Sequence, residues 1–211
     1  MSNVRHKCFY HRHLPHYQPL GATLFVTFRL AGSLPVAVVD ELKNCRREVE
    51  QRLNRIDDLE ERSRQADLEN RISFGQWDAA LHSRSVGPFW LSEDAVGDMV
   101  AESLRFRDGR VCRLEAFSIM PNHVHLVLTP LQKADGEFHA LPTILHSLKR
   151  HTAYQANLLL GRRGQFWQDE SYDHVVRDEA EYNRIVTYVL NNPVKAGLAA
   201  SWDKWRWNYR L

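Results

Sequence analysis

Cysteine is scarce. Cys8, Cys45 and Cys112 are the only three, too scattered for a zinc knuckle and odd in number, which points to free thiols in a reducing compartment. Long apolar runs are missing too. Nothing approaches the roughly 18–20 residues a membrane helix needs, and the opening MSNVRHKCFYHRHLPHY lacks the apolar centre of a secretory signal. The expectation is therefore a soluble, cytoplasmic protein with no membrane partner. Neither sign of charge dominates: 28 Lys and Arg stand against 26 Asp and Glu, a formal +2, so any nucleic-acid footprint must be local. No internal repeat and no low-complexity segment occurs. What is present is the composition of an ordinary globular chain, and 211 residues suit a single domain over 1–211 with a sizeable insertion.

The first twenty residues read as an irregular arm holding Arg5, His6, Lys7, His11, Arg12, His13 and His16 between prolines. ATLFVTFRL (22–30) alternates and is β-branched and aromatic, the mark of a strand. From about Val36 a long helical pattern follows, with Val39, Leu42, Cys45, Val49, Leu53, Ile56 and Leu59 recurring every three or four residues. Acid-before-base pairs such as Glu48–Arg52, Asp58–Arg62 and Glu60–Arg64 support it, so 36–84 is expected to be a charged helical insertion with a solvated face. Ser92 is placed to cap a helix reaching Phe106. GRVCRLEAFSIM and HVHLVLT form two strands joined at PN, and LPTILHSLKRHTAYQANLLLG a third helix. GQFWQDESYDHVVR holds a short strand in a loop. Asp178 and Glu181 open the last helix as a capping box, and Pro193 closes it at about Asn191. The order β–α–α–β–β–α–β–α predicts an α+β fold, an antiparallel sheet with helices largely on one face.

Two places carry chemistry. In MPNHVHLVLTP, His123 and His125 are two residues apart on a strand, so both imidazoles leave the same face and can chelate one divalent ion. The same spacing also suits two half-buried strand histidines bonded to backbone or water. In YNRIVTYVLNNPVKAGL, Arg184, Tyr188 and Asn192 make a polar line at i, i+4, i+8, with Pro193 expected to free the Asn192 amide at a helix terminus. A tyrosine beside a metal fits attack on a DNA phosphodiester. A phenol of pKa about 10 is scarcely ionised at pH 7, a handicap of about 4 kcal/mol. A divalent ion that polarises the phosphoryl oxygen offsets several kcal/mol of it. Tyr182 shares the quadrant of the apolar residues and is expected to pack.

MPNHVHLVL resembles the histidine–hydrophobic–histidine motif of the single-tyrosine HUH transposases. GQFWQDESYDHVVRD followed by YVLNNPVKAGL resembles their branch of REP-associated tyrosine transposases, and HLPHYQPLGATLFVTFRLAGSLP and SLKRHTAYQAN look like the same branch. The resemblance covers most of the chain in order. It implies a ferredoxin-like, RRM-like fold, with His123, His125 and Asn192 as ligands of Mg2+ or Mn2+, Asn192 standing where many relatives have glutamine. It further implies Tyr188 as the nucleophile that forms a 5′-phosphotyrosine, and single-stranded DNA hairpins of the repetitive extragenic palindrome type as partners. A nucleoid-associated location and a monomer or homodimer follow from the same resemblance. The long segment from about Val36 to Arg84 departs from compact relatives.

Binding such DNA takes cations and flat rings. The expected DNA contacts are Arg12, His13 and His16 in the arm, Lys149 and Arg150 on the third helix, and Arg184 on the last, with Arg162 and Arg163 as further cations. The tryptophan-rich tail, Trp202, Trp205 and Trp207, is expected to pack back on the sheet, Trp167 and Tyr172 to be core or site wall, and His174 to touch metal or phosphate. Two other enzyme readings fail on residues. A histidine-triad nucleotide hydrolase needs another histidine where this chain has Val127, and a metallo-β-lactamase-like hydrolase needs Asp and His where LVLTP stands. The alternative that stays open is a domesticated hairpin DNA- or RNA-binding protein that does not cleave.

Overall fold

The computed structural model describes residues 9–11, 15–17, 20–82 and 87–211. The chain falls into two compact units, Gly32–Pro88 and the remainder on either side of it. The first unit is a helical hairpin of α1 (Val36–Leu53) and α2 (Leu59–His82). Its helical pattern does not run unbroken from Val36 to Leu59. Asn54 ends α1, and Asp58 accepts the Glu61 N–H at 2.9 Å, a side-chain cap that starts a new helix. The ion pairs differ from simple i,i+4 reading as well: Arg52 meets Glu69 across the hairpin and Arg64 meets Glu61. Such exposed pairs are worth about 0–1 kcal/mol each. Gly87 closes the unit, because a Cβ there would lie 2.9 Å from the Ser33 backbone, and its φ of +142° is open only to glycine.

In the second unit the N-terminal arm is not wholly irregular. β1 (Phe9–His11) and β2 (Pro15–Tyr17) pair antiparallel with Tyr10 opposite His16, too short for any period to show in sequence. The main sheet is antiparallel, with β3 (Leu24–Leu30), β4 (Cys112–Ile119), β5 (His123–Pro130), β6 (Trp167–Val175) and β7 (Asn208–Arg210) in the order β6-β3-β5-β4-β7. With α3 (Asp94–Arg105) between β3 and β4 and α4 (Leu141–Leu159) between β5 and β6, this is the β-α-β-β-α-β ferredoxin-like order. The α+β reading is borne out, although β6 is a nine-residue strand rather than a short one and β7 is added at the edge.

Alternation sorts the strands into two layers. Leu24, Val26, Phe28 and Leu30 of β3, and Val124, Leu126 and Leu128 of β5, join Val96, Val100 and Leu104 of α3 and Ile144, Leu145 and Leu148 of α4 in one core. Cys112 belongs to this layer, and burial pushes its thiol up to about 12. The tail packs back in part: Trp205 lies against the core, Trp202 stays exposed, and Trp207 is buried where Gly97 of α3 leaves room for it, since a Cβ there would sit 2.5 Å from the indole. Trp207 Nε1–H donates to Asp98 and Trp205 Nε1–H to the Ile119 carbonyl. Ser92 does not cap α3. Glu93 holds the cap position, and the Ser92 hydroxyl instead donates to Phe89 in the 3-10 turn that precedes the helix.

The last helix, α5 (Glu179–Lys195), lies against the other face of the sheet. Asp178 caps it by accepting the Glu181 N–H at 2.7 Å. The capping box is shifted by one residue, because Glu181 reaches back to the Arg177 N–H rather than to that of Asp178. Pro193 does not end the helix. Asn192 stays in helical conformation, and its carbonyl accepts the Ala196 N–H, so its amide is not released at a terminus. An interior proline costs about 3 kcal/mol. Here it falls in the last turn, where Val189, Leu190 and Pro193 are buried and Asn208 donates to the Leu190 carbonyl.

Candidate metal and tyrosine site

The face opposite the core is laid out by register. Tyr172, Thr27, His125 and Ser118 are successive partners across β6, β3, β5 and β4, and Arg29 stands opposite His123. Cross-strand partners share a face, so these side chains form one surface beneath α5. His123 and His125 are buried at 1% and 0% exposure, a setting that demands partners for every ring nitrogen. Nδ1 of His125 bonds the Thr27 hydroxyl at 2.8 Å, and Nδ1 of His123 bonds Oδ1 of Asn122 at 2.6 Å. Asn122 is itself fixed, its carbonyl accepting the Leu30 N–H at 2.9 Å. With the Asn122 oxygen as acceptor, the neutral His123 ring carries its proton on Nδ1 and leaves a lone pair on Nε2. The two Nε2 atoms converge to 3.0 Å. Lone pairs that close repel unless a proton or a cation lies between them.

Tyr188 comes down on this pair from α5. Its ring centroid lies 5.4 Å from that of His125 and 6.1 Å from that of Phe25, both edge-on. Lys195 places its ammonium 5.8 Å from the same ring. Asn192 follows one turn on and is fully buried. Burial pulls the Arg29 guanidinium below its ordinary range, and the Glu170 carboxylate pushes it back up.

Tyr182 sits elsewhere. Half-buried, it donates its hydroxyl to Glu115 at 3.2 Å, and both burial and the Glu115 charge raise its phenol above the ordinary value. Glu115, at a bulge in β4, also accepts from Thr129 at 2.9 Å and from Arg113 at 2.6 Å. His174 is engaged at the start of α5, where its Nε2 meets Glu181 at 3.0 Å. Burial pushes the Glu181 carboxyl up, but the Arg177 N–H and His174 together hold it below the usual range.

The expected DNA contacts separate. Arg12 and His13 lie outside the described residues, and His16 is in β2. Arg150 and Arg184 are exposed. Lys149 is committed within the fold, donating to the carbonyls of Gln168 and Asp169 and to the Ser171 hydroxyl. Arg162 stacks over Trp90 at 3.7 Å and donates to Asn157. Thr27, Asn122, Phe25 and Lys195 were missed by sequence reasoning. Thr27 had a signal, a polar residue in an otherwise apolar alternation, and Asn122 had its place beside His123.

Among the described residues no helix is long and apolar enough to cross a membrane. No family model matches the chain. An uncharacterised protein of Haemophilus influenzae is 30% identical over 98 residues, covering 39% of this chain and 54% of that one. A REP-associated tyrosine transposase of Escherichia coli is 24% identical over 102 residues, covering 48% and 56%. The chain thus spans about half the length of the curated relatives it matches. A solved structure of a REP-associated tyrosine transposase bound to a REP hairpin superposes with a TM-score of 0.51 at 18% identity, over 94% of this chain and 80% of the other. The resemblance read from the histidine pair and the tyrosine helix is borne out, and the fold of this chain is that of a REP-associated tyrosine transposase.

Proposed function

We propose that this chain cleaves and rejoins single-stranded DNA at the foot of a hairpin, with Tyr188 as nucleophile and His123 and His125 as ligands of Mg2+ or Mn2+. The observation that carries the reading is the convergence of two buried Nε2 atoms at 3.0 Å beneath the Tyr188 ring. The donor set fits a divalent ion: both outer ring nitrogens are hydrogen-bonded, which fixes the ring orientations and points the inner nitrogens at one spot. Asn192 is the third ligand in this proposal. When bound, the ion polarises the phosphoryl oxygen and offsets developing negative charge.

The chain's own residues do the rest. The Tyr188 hydroxyl gives up its proton as its oxygen attacks phosphorus, a Tyr Oη–P bond forms, the P–O3′ bond breaks, and the leaving 3′ oxygen takes up one proton in exchange. The product is a 5′-phosphotyrosine and a free 3′-hydroxyl, and re-attack by a hydroxyl reverses the step with the bond energy conserved. Lys195, beside the Tyr188 ring, favours the phenolate and the incoming phosphate alike. Arg150 and Arg184, both exposed, and the arm with Arg12, His13 and His16 bind the DNA backbone. The chain around Arg150, residues 138–168, contains no aspartate or glutamate, which suits an anionic partner. In this reading the protein works on chromosomal hairpins at the nucleoid, as monomer or homodimer.

The test is a denaturing gel of end-labelled hairpin DNA incubated with the chain and Mg2+ or Mn2+. A covalent adduct that needs the metal, vanishes with EDTA and maps to Tyr188 is the expected result. Tight hairpin binding with no adduct under any metal establishes the binding-protein alternative instead.

A further inference from the structure

Beside the histidines the sheet carries rings for which phosphoryl transfer has no use. Tyr172 of β6 is the register partner of Thr27, and Thr27 of His125, so Tyr172 faces the same way. Its ring meets Phe25 edge-on at 6.0 Å, and Phe25 in turn lies against His125 at 5.8 Å and Tyr188 at 6.1 Å. β6 is the outermost strand on that side of the sheet. A row of aromatic rings therefore runs from the histidine pair to the rim, where Tyr172 is only half-buried. The nearest acid on this face of β6 is Glu170, two residues back, and its charge is opposed by Arg29.

We propose that Tyr172 is a stacking platform for the nucleobase next to the phosphate that Tyr188 attacks, so that the single strand enters across the β6 rim. This rests on the DNA-cleavage reading above. A purine or pyrimidine offers its π-face to such a ring whatever its sequence, and an aromatic platform is worth about tenfold or more in single-strand affinity. The ring also fixes where the neighbouring phosphate falls, which a cation alone does not, because stacking sets both a distance and a plane.

The test is a double-mutant cycle on binding. In a Tyr188→Phe background, which keeps the DNA intact, Tyr172→Leu and Tyr172→Phe are titrated by fluorescence anisotropy against a labelled hairpin with a single-stranded foot. A second probe series moves one abasic site through the foot, and a third moves 2-aminopurine. The expected result is a roughly tenfold loss for Tyr172→Leu, parental affinity for Tyr172→Phe, and disappearance of the Leu penalty when one particular foot nucleotide is abasic. 2-Aminopurine at that nucleotide should be quenched on binding by the parent and not by Tyr172→Leu. A Leu penalty equal on every abasic probe, or none at all, overturns the proposal and reduces Tyr172 to a packing residue. A parent that binds no probe overturns it together with the function it rests on. Absence of the covalent adduct in the Tyr188 chain counts against cleavage alone, since the cycle reads only binding.

Discussion

On β5, Val124, Leu126 and Leu128 enter one layer, while His123, His125 and Thr129, interleaved with them, enter the other. The same strand thus serves two surfaces. The layer under α3 and α4 is closed by shape alone, with Phe28, Leu126 and Ile119 at 1% exposure or less. The layer under α5 is mixed: Phe25 and Val127 are buried in it beside polar groups held by specific partners, Thr27 for His125, Asn122 for His123, Glu115 for Tyr182 and Glu181 for His174. Burial therefore does not distinguish structure from function in this sheet. The kind of partner does.

Neighbouring positions should part company under substitution. Tyr188→Phe should fold with an unchanged melting temperature and bind hairpin DNA, yet give no covalent adduct on a denaturing gel; an adduct of undiminished yield would falsify the nucleophile assignment. Phe28→Ala, on the core layer, should lose about 3–5 kcal/mol of stability in urea melts, while the fraction still folded retains its adduct chemistry. Thr27→Val, one residue away and facing the histidines, should do the reverse. Metal affinity or adduct rate should fall about 10–100-fold, as for a lost partner of a ligand histidine, with little change in melting; a purely thermal defect would erase the distinction between the layers. Tyr182→Phe should keep the adduct and cost about 1 kcal/mol, the worth of one hydrogen bond.

The smallest effect concerns pH. Glu181 is held below the usual carboxylate range in the fold, so it contributes stability above the pKa of the unfolded chain and loses that contribution as the pH falls through its folded value. Melting followed from neutral to acid pH should show this loss, and Glu181→Gln should flatten that limb. A Gln variant with the same acid slope as the parent places the titration on another group.

Period carried most of the sheet. The alternation in ATLFVTFRL and HVHLVL locates β3 and β5 and tells which residues face together, because a side-chain period of two is visible in any seven residues. The last helix was legible in its start, since Asp178 caps it directly. Its end was not. Pro193 is a local stop signal, and the buried packing of Val189, Leu190 and Pro193, contacts distant in sequence, overrides it. Short elements escaped for a related reason: β1, β2 and β7 have three residues each, fewer than a period needs. In the site, ring identity was readable but orientation was not. That Nδ1 of His125 meets Thr27 depends on the register of β3 against β5, which no local pattern encodes.

The outer position of β6 has a bearing on solubility. Among the described residues no strand pairs with the outer side of β6, and a nine-residue strand with such a flank invites pairing with the same strand of another molecule. Here the strand carries the exposed Asp169, so two copies meeting side by side bring like charges together, while Glu170 is opposed by Arg29. Lys149 is bound to the Gln168 and Asp169 carbonyls of the same molecule and does not neutralise a visitor. The strand is guarded against self-templated growth into ribbons, and a charge-neutral substitution at Asp169 should raise turbidity at high concentration before it alters the melting temperature.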